Sequence, residues 1–267
     1  MIVARTAAAL LVLTALCGTV HAAECPRPGT LGTSRVLTVD AATYPRVGLK
    51  SFPQTLPLDD HEIVLTFDDG PAATTPAVLK ALADECVRAT FFLVGKPASS
   101  MGDMVRRIAA GGHTIGHHTY THQHLSALSY DDALTEIDRG IAADEAVMRA
   151  KGIPVPTTRL FRFPYFESTP ALLDNLQARG IPVFGADLWA SDWKPMTPDE
   201  QLKLITERLT AAGRGIILFH DPRKQTAEMI PAFLHWLREN HYRVVHVVPA
   251  GAPGHAVASD THSRTAR

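Results

Sequence analysis

From about residue 60 the chain alternates short apolar runs with longer stretches whose apolar residues recur every three or four positions. The short runs are "EIVLTF" (62–67), "RATFFLVG" (88–95), "HTIGH" (113–117), "RLFRF" (159–163), "IPVFGAD" (181–187), "GIILFH" (215–220) and "YRVVHVV" (242–248). Their length and their β-branched and aromatic content predict strands. Between them, "TTPAVLKALADE", "MGDMVRRIAA", "DDALTEIDRGIAADEAVMRA", "TPALLDNLQAR", "PDEQLKLITERLTAA" and "AEMIPAFLHWLREN" predict amphipathic helices. Thr75-Pro76, Thr169-Pro170 and Thr197-Pro198 each set Pro at a first helical position, where its missing N–H costs nothing. Such alternation predicts an α/β fold with a parallel sheet and helices outside it. About seven repeats favour a distorted, incomplete (β/α) barrel of parallel strands. A doubly wound open sheet fits the same pattern.

The flanks differ from this body. Residues 23–60 are rich in Pro, Gly and Thr with one strand-like piece, "SRVLTVD", and read as an arm packing on a domain that spans 61–249. The tail, 250–267, has no apolar period and is expected to be disordered. Residues 1–22 read as a signal peptide: Arg5, an apolar run, and Val20-His21-Ala22 before the cut. The run falls short of the roughly 20 residues a membrane span needs, so no stable membrane insertion is expected after cleavage. An exported protein, periplasmic or secreted, is the expectation.

Composition narrows the partners. A net charge of -1 carries no basic excess, which excludes a nucleic-acid binder of the usual kind. Cleavage would leave Cys25 and Cys86, and an oxidising compartment permits a disulfide between them.

The polar residues concentrate at the C-terminal ends of the predicted strands, where barrel enzymes keep their chemistry. Asp68 and Asp69 close the first, His117 and His118 the third, with His122 and His124 just beyond. Arg162 and Tyr165 follow at the fourth, Asp187, Asp192 and Trp193 after the fifth, His220 and Asp221 after the sixth. Two adjacent carboxylates repel unless a cation or proton offsets them. His118 and His122 on one turn, with one of the aspartates, would make a two-His, one-Asp site for a zinc ion. Spacing leaves open which aspartate ligates and which stays free as a general base beside metal-activated water. Arg162 could orient the base through a bidentate pair, and a charge set between Phe161 and Phe163 needs such a partner. His220 could protonate a leaving amine or alkoxide. Trp189 and Trp193 could form a platform for a sugar ring or fill the core.

These motifs resemble the polysaccharide deacetylases, carbohydrate esterase family four, over roughly residues 60–248. "TFDDGP", "HTYTH", "RFPY", "DW" and "ILFH" are similar to its five motifs, in order. The resemblance implies a metal-dependent hydrolase that removes acetyl groups, mostly N-acetyl from amino sugars, on a distorted (β/α) barrel. It implies Asp68 as general base, Asp69, His118 and His122 as metal ligands, and Arg162 as the brace of the base. Tyr165 would offer its backbone N–H to the oxyanion, Trp193 and Leu218 would line the acetyl pocket, and His220 would be the general acid. The cofactor implied is a divalent metal, Zn2+ first with Co2+ or Ni2+ as alternatives, and the partner an acetylated glycan. Two positions depart from the family pattern. Trp189 stands where an Asp that tunes the acid is expected, which makes Asp187, two residues earlier, the candidate partner of His220. Phe166 stands where Gly is usual, which would reshape the cleft. Deacylation of an O-acetyl ester or a small-molecule amide is the alternative enzyme reading. A non-catalytic carbohydrate-binding protein is the alternative of another class, and the complete set of site residues speaks against it.

Overall fold

A computed structural model of the protein describes residues 27–252. The expected signal peptide, Cys25 and most of the expected tail lie outside the described residues, and so does the Cys25–Cys86 pairing. The elements run β1 (Arg35–Val39), β2 (Arg46–Val47), β3 (Glu62–Asp68), α1 (Thr75–Asp84), β4 (Thr90–Leu93), α2 (Gly95–Ser100), α3 (Gly102–Ala110) and β5 (Thr114–His117). There follow α4 (Tyr130–Ala150), α5 (Pro170–Ala178), β6 (Val183–Phe184), β7 (Leu188–Trp189), α6 (Pro198–Ala212), β8 (Gly215–His220), α7 (Lys224–Glu239) and β9 (Arg243–Pro249).

Every strand pairing among them is parallel. β3 lies between β4 and β8, β5 adds to β4, and β7 adds to β8. Phe161 links β5 to β6 by single bridges to His117 and Val183. The wall therefore curves into a barrel whose seam stays open, because β6 and β7 do not pair with each other. This is the distorted, incomplete (β/α) barrel that the alternation predicted. "RLFRF" contributes one bridging residue rather than a full strand, since Pro164 and left-handed Tyr165 and Phe166 end the extended backbone at once.

The strand period of two decides what faces the interior. On β3, Ile63, Leu65 and Phe67 face the helices and join a core with Leu82, Phe219, Phe233 and Leu237. Val64 faces inward among Phe92, Phe184 and Ile216, and Thr66 and Asp68 share its parity. Fully burying a side chain such as Leu65 contributes about 1.5–3 kcal/mol. In the register of β3 with β8, Val64 stands beside Ile216, Thr66 beside Leu218, and Asp68 beside His220. Apolar below and polar at the rim, this ladder delivers two candidate catalytic groups to the same level.

The arm does more than rest on the barrel. β1 pairs with β9 over its full length, and β2 pairs with β6. Val39, Val47, Leu56 and Leu58 join the inner core of Val64, Phe92, Phe184 and Ile216.

Candidate active site

Adjacent residues of a strand point to opposite faces, so two neighbouring aspartates cannot serve one pocket on a continuing strand. The backbone stops alternating at Asp69, whose φ is 72°. Asp68 keeps the inward direction of β3 and the left-handed turn brings Asp69 over the same opening. Gly70 follows, and a Cβ there would collide with the carboxylate of buried Asp221. Asp221, beside His220, accepts a hydrogen bond from Thr75 Oγ1 and stays beneath the turn. Burial pushes its carboxyl up to about 7.

His118 and His122 reach the opening from the loop after β5. Thr119 and His122 are left-handed, at φ 65° and 61°, and the Thr119 hydroxyl accepts from the His122 N–H. α4 supports this loop through Gly140, where any Cβ would meet the Thr119 backbone. His118 Nδ1 lies 2.7 Å from the Arg162 carbonyl oxygen, so that nitrogen carries the proton and Nε2 presents its lone pair. Asp69 Oδ1 is buried with no hydrogen-bond partner, 3.4 Å from His118 Nε2 and 3.1 Å from His122 Nε2. Burial alone would raise Asp69, but when the two imidazoles carry a proton at Nε2 they outweigh it and hold the carboxyl well below the usual carboxylate range. Ligand atoms of Asp69, His118 and His122 all fall within 4.8 Å of one another. Converging acceptors around an orphaned carboxylate oxygen fit a divalent cation, and two imidazoles with one carboxylate suit zinc chemistry. His117 turns away from this group to buried Asp144, 2.8 Å distant, and His113 lies against Phe91 at the far end of β5.

Arg162 is fully buried. Its Nη1 donates to Asp68 Oδ1 and to Thr66 Oγ1, each at 2.8 Å, while Nη2 donates to the Gly185 carbonyl at 2.7 Å. The expected bidentate pair is therefore a single bond to the carboxylate. Three other donors are spent on two backbone carbonyls and a hydroxyl, and the guanidinium lies 4.4 Å over the Phe92 ring. Asp68 Oδ2 is left facing His118 Nε2 at 3.7 Å.

The expected Asp187–His220 pair is not formed. His220 Nδ1 lies 2.7 Å from Asp192 Oδ1, and Asp192 Oδ2 accepts from the His220 N–H and the Thr226 hydroxyl, both at 2.7 Å. Asp187 instead accepts from Leu49 N, Thr55 Oγ1 and Ile216 N. It sits level with the start of β8, four residues below His220, a separation of roughly 13 Å at about 3.3 Å per residue. Parity was the wrong guide because extension ends at Ser191, whose φ of 55° turns Asp192 inward. The available signal was adjacency: Asp192 immediately precedes Trp193. Burial lowers His220, but the hydrogen bond and charge of Asp192 outweigh it, and the imidazole is pushed up to about 9.

Asp68, Asp69, His118, His122 and His220 line a cleft of about 480 Å³ with Tyr165, Phe166, Trp189, Trp193 and Leu218 on its walls. That volume lies within the range of small-molecule sites. Tyr165 stacks face to face on His124 at 3.8 Å, while Phe166, Trp189, Trp193 and His220 form a chain of ring contacts along the other side. Phe166 fills the position expected to be Gly and holds a left-handed φ of 58°. Its ring stacks toward Trp189 at 6.2 Å, so the departure narrows the cleft with an aromatic wall.

Known proteins are similar to this chain in sequence and in fold. The polysaccharide deacetylase family model matches residues 56–184. A chitin deacetylase of Colletotrichum lindemuthianum is 32% identical over 197 residues, covering 69% of this chain and 77% of the relative. A peptidoglycan-N-acetylglucosamine deacetylase of Bacillus cereus is 34% identical over 144 residues, 54% of this chain and 50% of its own length. The solved structure of a Bdellovibrio bacteriovorus peptidoglycan deacetylase superposes with a TM-score of 0.71 at 30% identity, over 86% of this chain and 62% of that one. With its motif residues gathered at one barrel rim and relatives of this similarity, the chain belongs to the polysaccharide deacetylase family, carbohydrate esterase family four.

Proposed function

We propose that the protein hydrolyses the N-acetyl group of amino-sugar residues in a glycan outside the cytoplasm. The observation that supports this most is the joint placement of Asp68 and His220 at one level beside the Asp69–His118–His122 group. A divalent cation held by Asp69, His118 and His122 would supply Lewis acidity, polarising the acetyl carbonyl and making water more acidic. Asp68 takes the proton of the attacking water at Oδ2, with Oδ1 fixed by Arg162. The Tyr165 backbone N–H stabilises the developing oxyanion, a contribution of typically about 10²–10³ in rate for one such donor. His220 gives a proton from Nε2 to the departing amine, its Nδ1 being committed to Asp192. Trp193 and Leu218 enclose the acetyl methyl, and Trp189 forms part of the sugar platform.

Acetate release separates this reading from its rivals. The zinc-supplemented protein is incubated with N-acetylglucosamine oligomers, peptidoglycan, acetylated xylan and an aryl acetate. Release from the amino-sugar substrates, at rates above those on xylan and aryl ester, is expected. Release from xylan alone would replace N-deacetylation with ester hydrolysis, and stoichiometric glycan binding without release would leave a binding protein.

A further inference from the structure

The Asp192–His220 pair is the end of a longer chain of hydrogen bonds. Asp192 Oδ1 faces His220 Nδ1, and Asp192 Oδ2 accepts from Thr226 Oγ1 at 2.7 Å. Thr226 Oγ1 in turn accepts from Gln201 Nε2 at 3.0 Å. Thr226 stands in the first turn of α7 and Gln201 early in α6, so the chain runs from two helices to the imidazole. Asp192, Thr226 and Gln201 are fully buried, and none of the three lines the cleft.

The direction of each proton follows from the donors present. The Gln201 amide nitrogen can only donate, so the Thr226 hydroxyl accepts from it and turns its own proton to Asp192. A hydroxyl that receives a hydrogen bond donates more strongly, because bonds in a chain polarise one another. The segment that carries Asp192 is held in place by other groups of the same two helices. Arg208 of α6 donates to the Trp189 carbonyl at 2.6 Å and to Ser191 Oγ at 2.8 Å, and Gln225 of α7 donates to the Asp192 carbonyl at 2.7 Å. The backbone is thus fixed without Thr226, whose hydroxyl acts on the carboxylate itself. The other charged or titratable groups facing His220 are Asp68 and Asp69 at the end of β3, His118 and His122 after β5, Arg223 at the start of α7, and neighbouring Asp221. Among the described residues none of them hydrogen-bonds the Thr226 or Gln201 side chain.

A hydrogen bond to a carboxylate stabilises its charged form and lowers its affinity for protons. Without the Thr226 hydroxyl, Asp192 would be the stronger base and would hold the protonated imidazole more tightly. Resting on the reading of His220 as proton donor in deacetylation, we propose that Thr226, supported by Gln201, is a positioning residue for the general acid. Its hydroxyl tempers the charge of Asp192, so that His220 gives up its Nε2 proton to the departing amine more readily than a bare Asp–His pair would.

The test uses the zinc-supplemented full chain with its histidine rings labelled for NMR, His220 being assigned by the signal that His220→Gln removes. The His220 titration midpoint and the alkaline limb of kcat on an N-acetylglucosamine tetramer are measured together. The variants are Thr226→Val, Thr226→Ser, Gln201→Leu, and Thr226→Val combined with Asp192→Asn. Thr226→Val should raise midpoint and limb alike by about half to one pH unit. It should also lower kcat about two- to fivefold at unchanged KM, since a weaker acid transfers its proton more slowly and Thr226 does not touch substrate. Gln201→Leu should shift both the same way by less, and Thr226→Ser should restore the wild-type values. Thr226→Val should add no shift once Asp192 is replaced. The sign separates this role from a structural one, because a pair that merely lost its geometry would lower the midpoint, as Asp192→Asn does by removing the charge. A midpoint unmoved or lowered by Thr226→Val, or raised equally with Asp192 replaced, would overturn the proposal. Where Thr226→Val does not fold, Gln201→Leu decides: a raised midpoint supports the proposal and an unmoved one overturns it. Acetate release from no oligomer would sink the deacetylase reading, while the NMR midpoint still decides the action of Thr226 on His220.

Discussion

At the scale of single residues, identical side chains hold different offices because their backbones differ. Asp68 continues β3 into the barrel and meets Arg162, whereas Asp69 is turned by a left-handed φ to face two imidazoles. Spacing showed both aspartates and could not divide their roles, which only the family resemblance did, since the deciding quantity is one dihedral angle. Asp192 and Asp187 repeat the lesson. Alternation from Trp189 favoured Asp187, and a turn at Ser191 that no periodicity announces gave the role to Asp192. The assignment has a pH signature. In the proposed mechanism His220 must be protonated to act as an acid, and its raised pKa, about 9, would keep that form dominant up to that pH, with activity expected to fall as pH rises through it. Asp192→Asn removes the charge that raises it, so the alkaline limb of kcat should move to lower pH. A limb that stays in place would mean that another group donates the proton.

At the scale of elements, the strongly periodic strands β3, β4 and β8 were legible, because burial on both faces demands near-continuous apolar runs. Of the weakly patterned arm only "SRVLTVD" was legible, as β1; β2 was not, and the partners of both strands, β9 and β6, lie far along the chain and leave no trace in local sequence. Asp187 belongs to this layer: its carboxylate ties Leu49 and Thr55 of the arm to Ile216 at the foot of β8. Asp187→Ala strands three donors and should cost about 2–3 kcal/mol of stability. Denaturant unfolding checks the loss, and the pH–rate profile should keep its shape. An altered alkaline limb with unchanged stability would restore Asp187 to the catalytic side.

At the scale of the molecule, the barrel makes one rim from five separate segments, each bringing one or two polar groups to the C-terminal end of the wall. The motifs were readable as chemistry because their residue types are rare in that position. Which glycan they serve was not, because the walls of the cleft come from Tyr165, Phe166, Trp189 and Trp193, which come together only in the folded chain. The account stands or falls with the cation that Asp69, His118 and His122 are arranged to hold. The most direct test strips the protein with a chelator, restores Zn2+ stepwise, and measures bound metal and acetate release on the same samples. Both should rise together and saturate at about one ion per chain, with Asp69→Ala and His122→Ala losing both. Full activity in the stripped protein, or zinc bound with unchanged stoichiometry by those variants, would contradict it.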